Sequence, residues 1–225
     1  MLSESEIAAR WREVTARMAA ALERAGRPSD ACRLVLASKT QPAEAILAAY
    51  RAGARVFGEN YVQEAIAKQA SVGRLDGASW HLIGHLQSNK ARLAAAHFDL
   101  IQSLDSVRTA AALARASARP GVRVLIEVNL GGEASKSGVA PDALAELLEK
   151  ARDLVQIEGF MTIPPPGPQG AARHYFAALR NLRDRLATSA MPLRELSMGM
   201  TDDYEIAIEE GATIVRVGRA VFGER

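Results

Sequence analysis

After an amphipathic N-terminal helix the chain repeats one unit. A short β-rich apolar run ends in polar or glycine residues, and a helical pattern follows. The runs cover residues 33–38, 54–58, 80–83, 100–103, 122–129, 156–161, 194–198 and 213–217. Helical patterns occupy 42–52, 61–71, 87–96, 106–118, 141–153, 171–190 and 201–210. Strands separated by helices pair in parallel through right-handed crossovers. A closed eight-stranded barrel and an open doubly wound sheet both accept the pattern. The count of eight and the even spacing favour the barrel, as does a length of 225 residues, close to the roughly 250 usual for a (β/α)8 TIM barrel. An open sheet would carry a glycine fingerprint after its first strand. Here that turn reads Ser38-Lys39-Thr40. The expected fold is therefore α/β, a single TIM-barrel domain over residues 1–225 with an extra N-terminal helix. No composition shift marks a boundary, and Pro164-Pro165-Pro166-Gly167-Pro168 reads as a stiff loop after strand six.

Ile7, Trp11, Val14, Met18 and Leu22 recur at helical spacing in the first segment. Ser3 and Ser5 offer N-caps, and Gly26-Arg27-Pro28 ends the helix. Residues 1–23 are charged throughout and no apolar run approaches the roughly 20 residues that span a bilayer, so neither signal peptide nor membrane contact is expected. Cys32 is the only cysteine, which excludes an internal disulfide and fits the reducing cytoplasm. It reads as a small buried hydrophobe rather than a nucleophile. With 28 basic and 26 acidic residues the net charge is +2, too small for a field that binds nucleic acid.

In such a barrel the chemistry lies at the C-terminal strand ends. Lys39 follows the run Leu34-Val35-Leu36-Ala37. An amine at the end of a buried strand is costly to charge, and that cost makes it a nucleophile toward carbonyls. Alone it reads as a snorkelling surface lysine. The other strand ends turn the balance toward a site: Gly58-Glu59-Asn60, Gly84-His85, Ser103 to Asp105, Asn129, Met161-Thr162, Ser197 to Thr201, and Arg216 to Arg219 ring the amine with hydrogen-bonding groups. Ser197, Gly199 and Thr201, before a helix starting near Asp202, supply hydroxyls and unhindered backbone for phosphate, and Gly218 and Arg219 add backbone donors. Two readings of Arg216 stay open. It faces a pyridine nitrogen as a permanent donor, or it pairs inside the barrel with Glu127 or Glu158. His81 and His85 lack a carboxylate at metal spacing, so no metal is expected. His97 and His174 read as surface residues. The Gly131 to Gly138 loop lacks P-loop spacing, and its Lys136 reads as a solvated lysine or a second amine.

The stretches LVLASKT, VFGENYVQE, WHLIGHLQSNK, IQSLDS, VLIEVN, SKSG, GFMTIPP, LSMGMTDDYEIAI and VRVGRAVFG run in order from residue 34 to 223. Together they closely resemble the YggS/PROSC family of pyridoxal phosphate homeostasis proteins. The resemblance implies a barrel like the N-terminal domain of alanine racemase, with pyridoxal 5′-phosphate (PLP) held as an aldimine on Lys39. It places Ser197, Gly199, Thr201, Gly218 and Arg219 on the phosphate, Arg216 on the ring nitrogen, and Asn60 beside the cofactor. It implies a monomer that carries PLP, and as partners PLP and the apoenzymes that accept it; the cytoplasmic placement is the reading of the N-terminal segment. No enzyme activity is expected, because racemases of this fold add a tyrosine from a further β-domain and the present chain has no room for one. A PLP-dependent racemase or lyase is the alternative.

Overall fold

A computed structural model describes residues 2–117, 121–133, 137–168 and 170–224. The strands are β1 Arg33–Ala37, β2 Val56–Glu59, β3 Ser79–Leu82, β4 Leu100–Leu104, β5 Arg123–Glu127, β6 Gln156–Met161, β7 Glu195–Ser197 and β8 Ile214–Val217. Each pairs in parallel with the next, and β1 pairs with β8, closing the barrel. Around it lie α1 Glu4–Arg24, α2 Ala43–Arg51, α3 Val62–Val72, α4 Ala91–His97, α5 Val107–Ala116, α6 Leu144–Ala151, α7 Arg173–Leu186, α8 Tyr204–Glu209 and α9 Arg219–Phe222.

The strands are covered on both faces, which is why the runs are mostly apolar rather than strictly alternating. In β1, Val35 joins Leu100, Leu125, Met161 and Ile214 in the lumen, whereas Leu34 and Leu36 turn outward to the helix layer. Burying each such side chain contributes about 1.5–3 kcal/mol. At the N-terminal end, Arg33 pairs with Glu195 (2.6 Å) and Arg123 with Glu158 (2.6 Å). Glu158 is therefore taken by Arg123, which removes it as a partner for Arg216.

Helix α1 begins with a capping box. Ser3 accepts from the Glu6 amide while Glu6 accepts from the Ser3 amide. Its buried face is Ile7, Val14, Met18 and Leu22, with Trp11 half-buried at the edge, and it lies across α2, α8 and α9. Gly26 at φ +63° ends it, as the sequence suggested.

Several boundaries differ from expectation, by up to four residues. The helix expected from residue 201 begins at Tyr204, because residues 201–203 form a turn in which the Asp203 and Tyr204 amides donate to the Met200 carbonyl. The pattern at 87–96 opens with a 3-10 turn, Ser88–Lys90, before α4. Lys136 lies outside the described residues.

Candidate functional site at the C-terminal barrel mouth

The ends of β7, β8 and β1 are knit together. The Arg216 amide donates to the Gly199 carbonyl (3.0 Å), and Val35 and Leu36 of β1 stand opposite Arg216 and Val217. Gly218 sits so close to β1 that a Cβ there would lie 3.0 Å from the Ala37 carbonyl oxygen. Gly199 has φ +92°, and its Cβ would press to 2.5 Å from that of Ala207. Only glycine fits this turn without strain. The amides of Thr201, Asp202 and Gly218 donate no hydrogen bond among the described residues. They leave an unhindered, donor-lined cradle of the kind that holds a phosphate. Arg219 turns its side chain to Asp202, tying the two loops at their outer edge.

Arg216 lies in the lumen below this cradle and is 4% exposed. One terminal nitrogen donates to Ser197 Oγ (2.7 Å) and the other to the Thr162 carbonyl (2.9 Å). Ser197 Oγ in turn donates to Gln102 Oε1 (2.6 Å), and Gln102 Nε2 donates to His81 Nδ1 (2.9 Å). A protonated arginine thus starts a directional chain that ends on a neutral imidazole. Burial drives His81 down to about 3, which keeps its nitrogen an acceptor. Burial also lowers Arg216 to about 10, with Glu127 and Asp203 opposing the shift, and it remains a cation at neutral pH. The sequence reading turns Ser197 toward the phosphate; in this structure its hydroxyl bonds Gln102 and Arg216 in the lumen.

Further mouth groups surround Arg216. Glu127 is 8% exposed, and burial raises it while Arg216 pulls it back. His85 Nδ1 lies 3.2 Å from Asp105. Lys39 is half-buried in the turn after β1, and Asn60 is half-buried after β2. The structure thus brings Lys39, Gly199, Thr201, Arg216, Gly218 and Asn60 to one end of the barrel. Among the described residues no cluster of His, Cys, Asp or Glu could hold a metal ion, and no helix is long and apolar enough to cross a membrane.

Residues 11–225 match the family model described as alanine racemase, N-terminal domain. The pyridoxal phosphate homeostasis protein of Pseudomonas aeruginosa is 45% identical over 225 residues, covering 98% of this chain and 96% of its own. The chain belongs to this family. The pyridoxal phosphate homeostasis protein of Aquifex aeolicus is likewise 45% identical, over 96% of this chain and 97% of its own. The family member PipY of Synechococcus elongatus, solved with PLP bound, superposes with a TM-score of 0.84 at 40% identity, over 96% of this chain and 100% of that one.

Sequence reasoning passes over several buried polar groups of this chain. Glu59 reads only as part of a strand end, and Lys68 is not singled out. Both are buried and joined: Lys68 Nζ lies 2.9 and 3.0 Å from the two Glu59 carboxylate oxygens. Periodicity could have found Lys68, a charged residue on the apolar side of α3 with Val62 and Ala65. Gln102 carries no sequence signal beyond being polar inside an apolar run.

Proposed function

We propose that the barrel mouth binds pyridoxal 5′-phosphate through Lys39, and that the protein keeps the cofactor in supply without turning over amino acids. The observation that carries the reading is the joining of three strand ends into one site: the Lys39 turn, the Gly199 and Gly218 cradle, and the buried Arg216 cation. These residues suit the group. Unbonded amides at Thr201, Asp202 and Gly218, with the Thr201 hydroxyl, would hold the phosphate. Two of the five N–H donors of Arg216 are engaged with Ser197 and Thr162, which leaves donors for the ring nitrogen. Ser197 takes the role of orienting Arg216. Asn60, after β2, would flank the ring.

When bound, PLP supplies an aldehyde that condenses with a primary amine, releasing one water. Lys39 provides that amine. Arg216 cannot give up its proton at neutral pH, so it holds a ring nitrogen as an acceptor and weakens electron withdrawal through the ring. That property, together with the names of the relatives, supports a carrier or regulator over a racemase or lyase. The reading extends to a monomeric domain over residues 1–225 that passes PLP to apoenzymes. Its cytoplasmic placement is supported by the single buried thiol of Cys32.

The test is borohydride reduction of yellow, PLP-loaded protein followed by peptide mapping. Label on Lys39 is expected, and Lys39→Ala should be colourless while melting within about 1 kcal/mol of the parent. Label mainly on Lys90 or Lys136 would overturn the assignment. Incubating the loaded protein with single-enantiomer amino acids in deuterated water tests the absence of turnover. Exchange of the α-proton at enzyme-like rates would favour the racemase or lyase.

A further inference from the structure

Lys68 comes from α3, outside the barrel, yet its ammonium reaches the backbone at the end of β1. Its Nζ donates to the Ser38 carbonyl at 2.6 Å and lies 2.7 Å from Glu64 Oε1. That same Glu64 oxygen accepts from the Thr40 amide at 2.6 Å. Glu59, 0% exposed, accepts from Ser38 Oγ at 2.6 Å and pairs with Lys68 from the other side. The Ser38 carbonyl belongs to the peptide unit before the Lys39 Cα, and the Thr40 amide to the unit after it. Peptide units are rigid planes, so anchoring the one before and the one after restrains both φ and ψ of Lys39. Thr40 itself is held at φ +63°, which costs a non-glycine residue of order 1–3 kcal/mol and persists only where its surroundings impose it.

Stability alone is a poor explanation of this cluster. Removing two charges from water costs several kcal/mol per ion, and apolar residues of similar volume would hold α3 against β2 as well or better. What an apolar cluster cannot do is grip one carbonyl and one amide on either side of a single residue. We propose that Lys68, Glu59 and Glu64 are positioning residues for Lys39: they fix the turn so that its amine is presented to an incoming carbonyl in one orientation. The inference rests on Lys39 being the attachment residue and deepens that reading.

Cofactor-free parent, Glu64→Ala, Glu64→Gln and the double variant Glu59→Gln/Lys68→Met test it. The double variant avoids stranding one buried charge. Each protein is melted in urea and then mixed with PLP, and the rate at which the yellow colour and its circular dichroism appear is recorded. Glu64→Ala and the double variant are expected to label Lys39 on reduction but to react at least about tenfold slower, since a misplacement near 1 Å carries losses of that size and larger. Glu64→Gln keeps an oxygen for the Thr40 amide and should return to within about twofold of the parent. Leu113→Ala, fully buried in α5, supplies a control destabilised without touching the turn. Parent rates in Glu64→Ala, or equal slowing in Leu113→Ala, would overturn the inference. If the parent itself carries no label on Lys39, the underlying functional reading has failed instead.

Discussion

Replacing Arg216 by methionine asks what the lumen cation is for. The substitution deletes two charge-assisted hydrogen bonds, to Ser197 Oγ at 2.7 Å and to the Thr162 carbonyl at 2.9 Å, each worth about 1.5–3 kcal/mol. Against that loss stands release of a desolvated cation that is 4% exposed, a penalty of several kcal/mol. The two nearly cancel, so about 1 kcal/mol of destabilisation is expected in mild acid. The decisive term is Glu127. Burial already raises its pKa and Arg216 opposes that rise, so the variant lifts it further. A carboxyl whose folded pKa is raised contributes stability that is full below the unfolded value and is lost as pH climbs through the folded one. Each unit of further rise is worth about 1.4 kcal/mol. Urea melts of parent and variant should therefore differ by about 1 kcal/mol at pH 5 and by clearly more at pH 8. A difference that is flat across this range would refute the coupling. A loss above about 5 kcal/mol at both pH values would show that the cation holds the barrel together.

Gly199→Ala meets both a positive φ and a Cβ contact of 2.5 Å with Ala207, so a loss of about 2–4 kcal/mol in urea melts is expected; a loss under 1 kcal/mol would mean the turn relaxes freely. Burial pushes the Cys32 thiol up to about 12, so it should resist an aromatic disulfide reagent at pH 8 until urea unfolds the chain, and prompt reaction would contradict its burial. His81, held near 3, should show no imidazole titration by NMR between pH 4.5 and 8. Because the unfolded imidazole takes a proton near 6.5 and the folded one does not, stability should fall as pH drops below that value. His81→Gln should flatten that acid limb.

The barrel was legible because its signal is repeated and local: each β-rich run owes its character to burial on both faces, and eight copies leave few topologies. The Lys39, Gly199 and Gly218 positions were legible because their residue types are costly or permissive at strand ends. The luminal bonding of Ser197 was not legible, for a reason visible in its partners. A serine one strand residue before a glycine loop faces the lumen or the loop depending on register, and only the pairing of Ser197 with Gln102 and Arg216 decides it. The Thr201 boundary failed because Met200 gathers two amides into a turn, which no propensity encodes. Periodicity could flag Lys68 as a charge on an apolar helix face, but not its role. Its partners Ser38, Glu59 and Glu64 come from three segments, and the meaning of the lysine lies wholly in their convergence.

Closure of the sheet through β1 and β8 makes the site a property of the finished chain. Lys39 lies near one end of the sequence and Arg216 and Gly218 near the other, so no partial barrel contains the cradle and the amine together. Contacts of such long sequence separation form late, after the loop-closure entropy has been met. A cofactor that binds only the closed form stabilises that form by mass action and has no affinity for intermediates. Capture in the assembled site therefore requires the closed barrel, since a chain still lacking β8 has the Lys39 amine without Arg216 or Gly218.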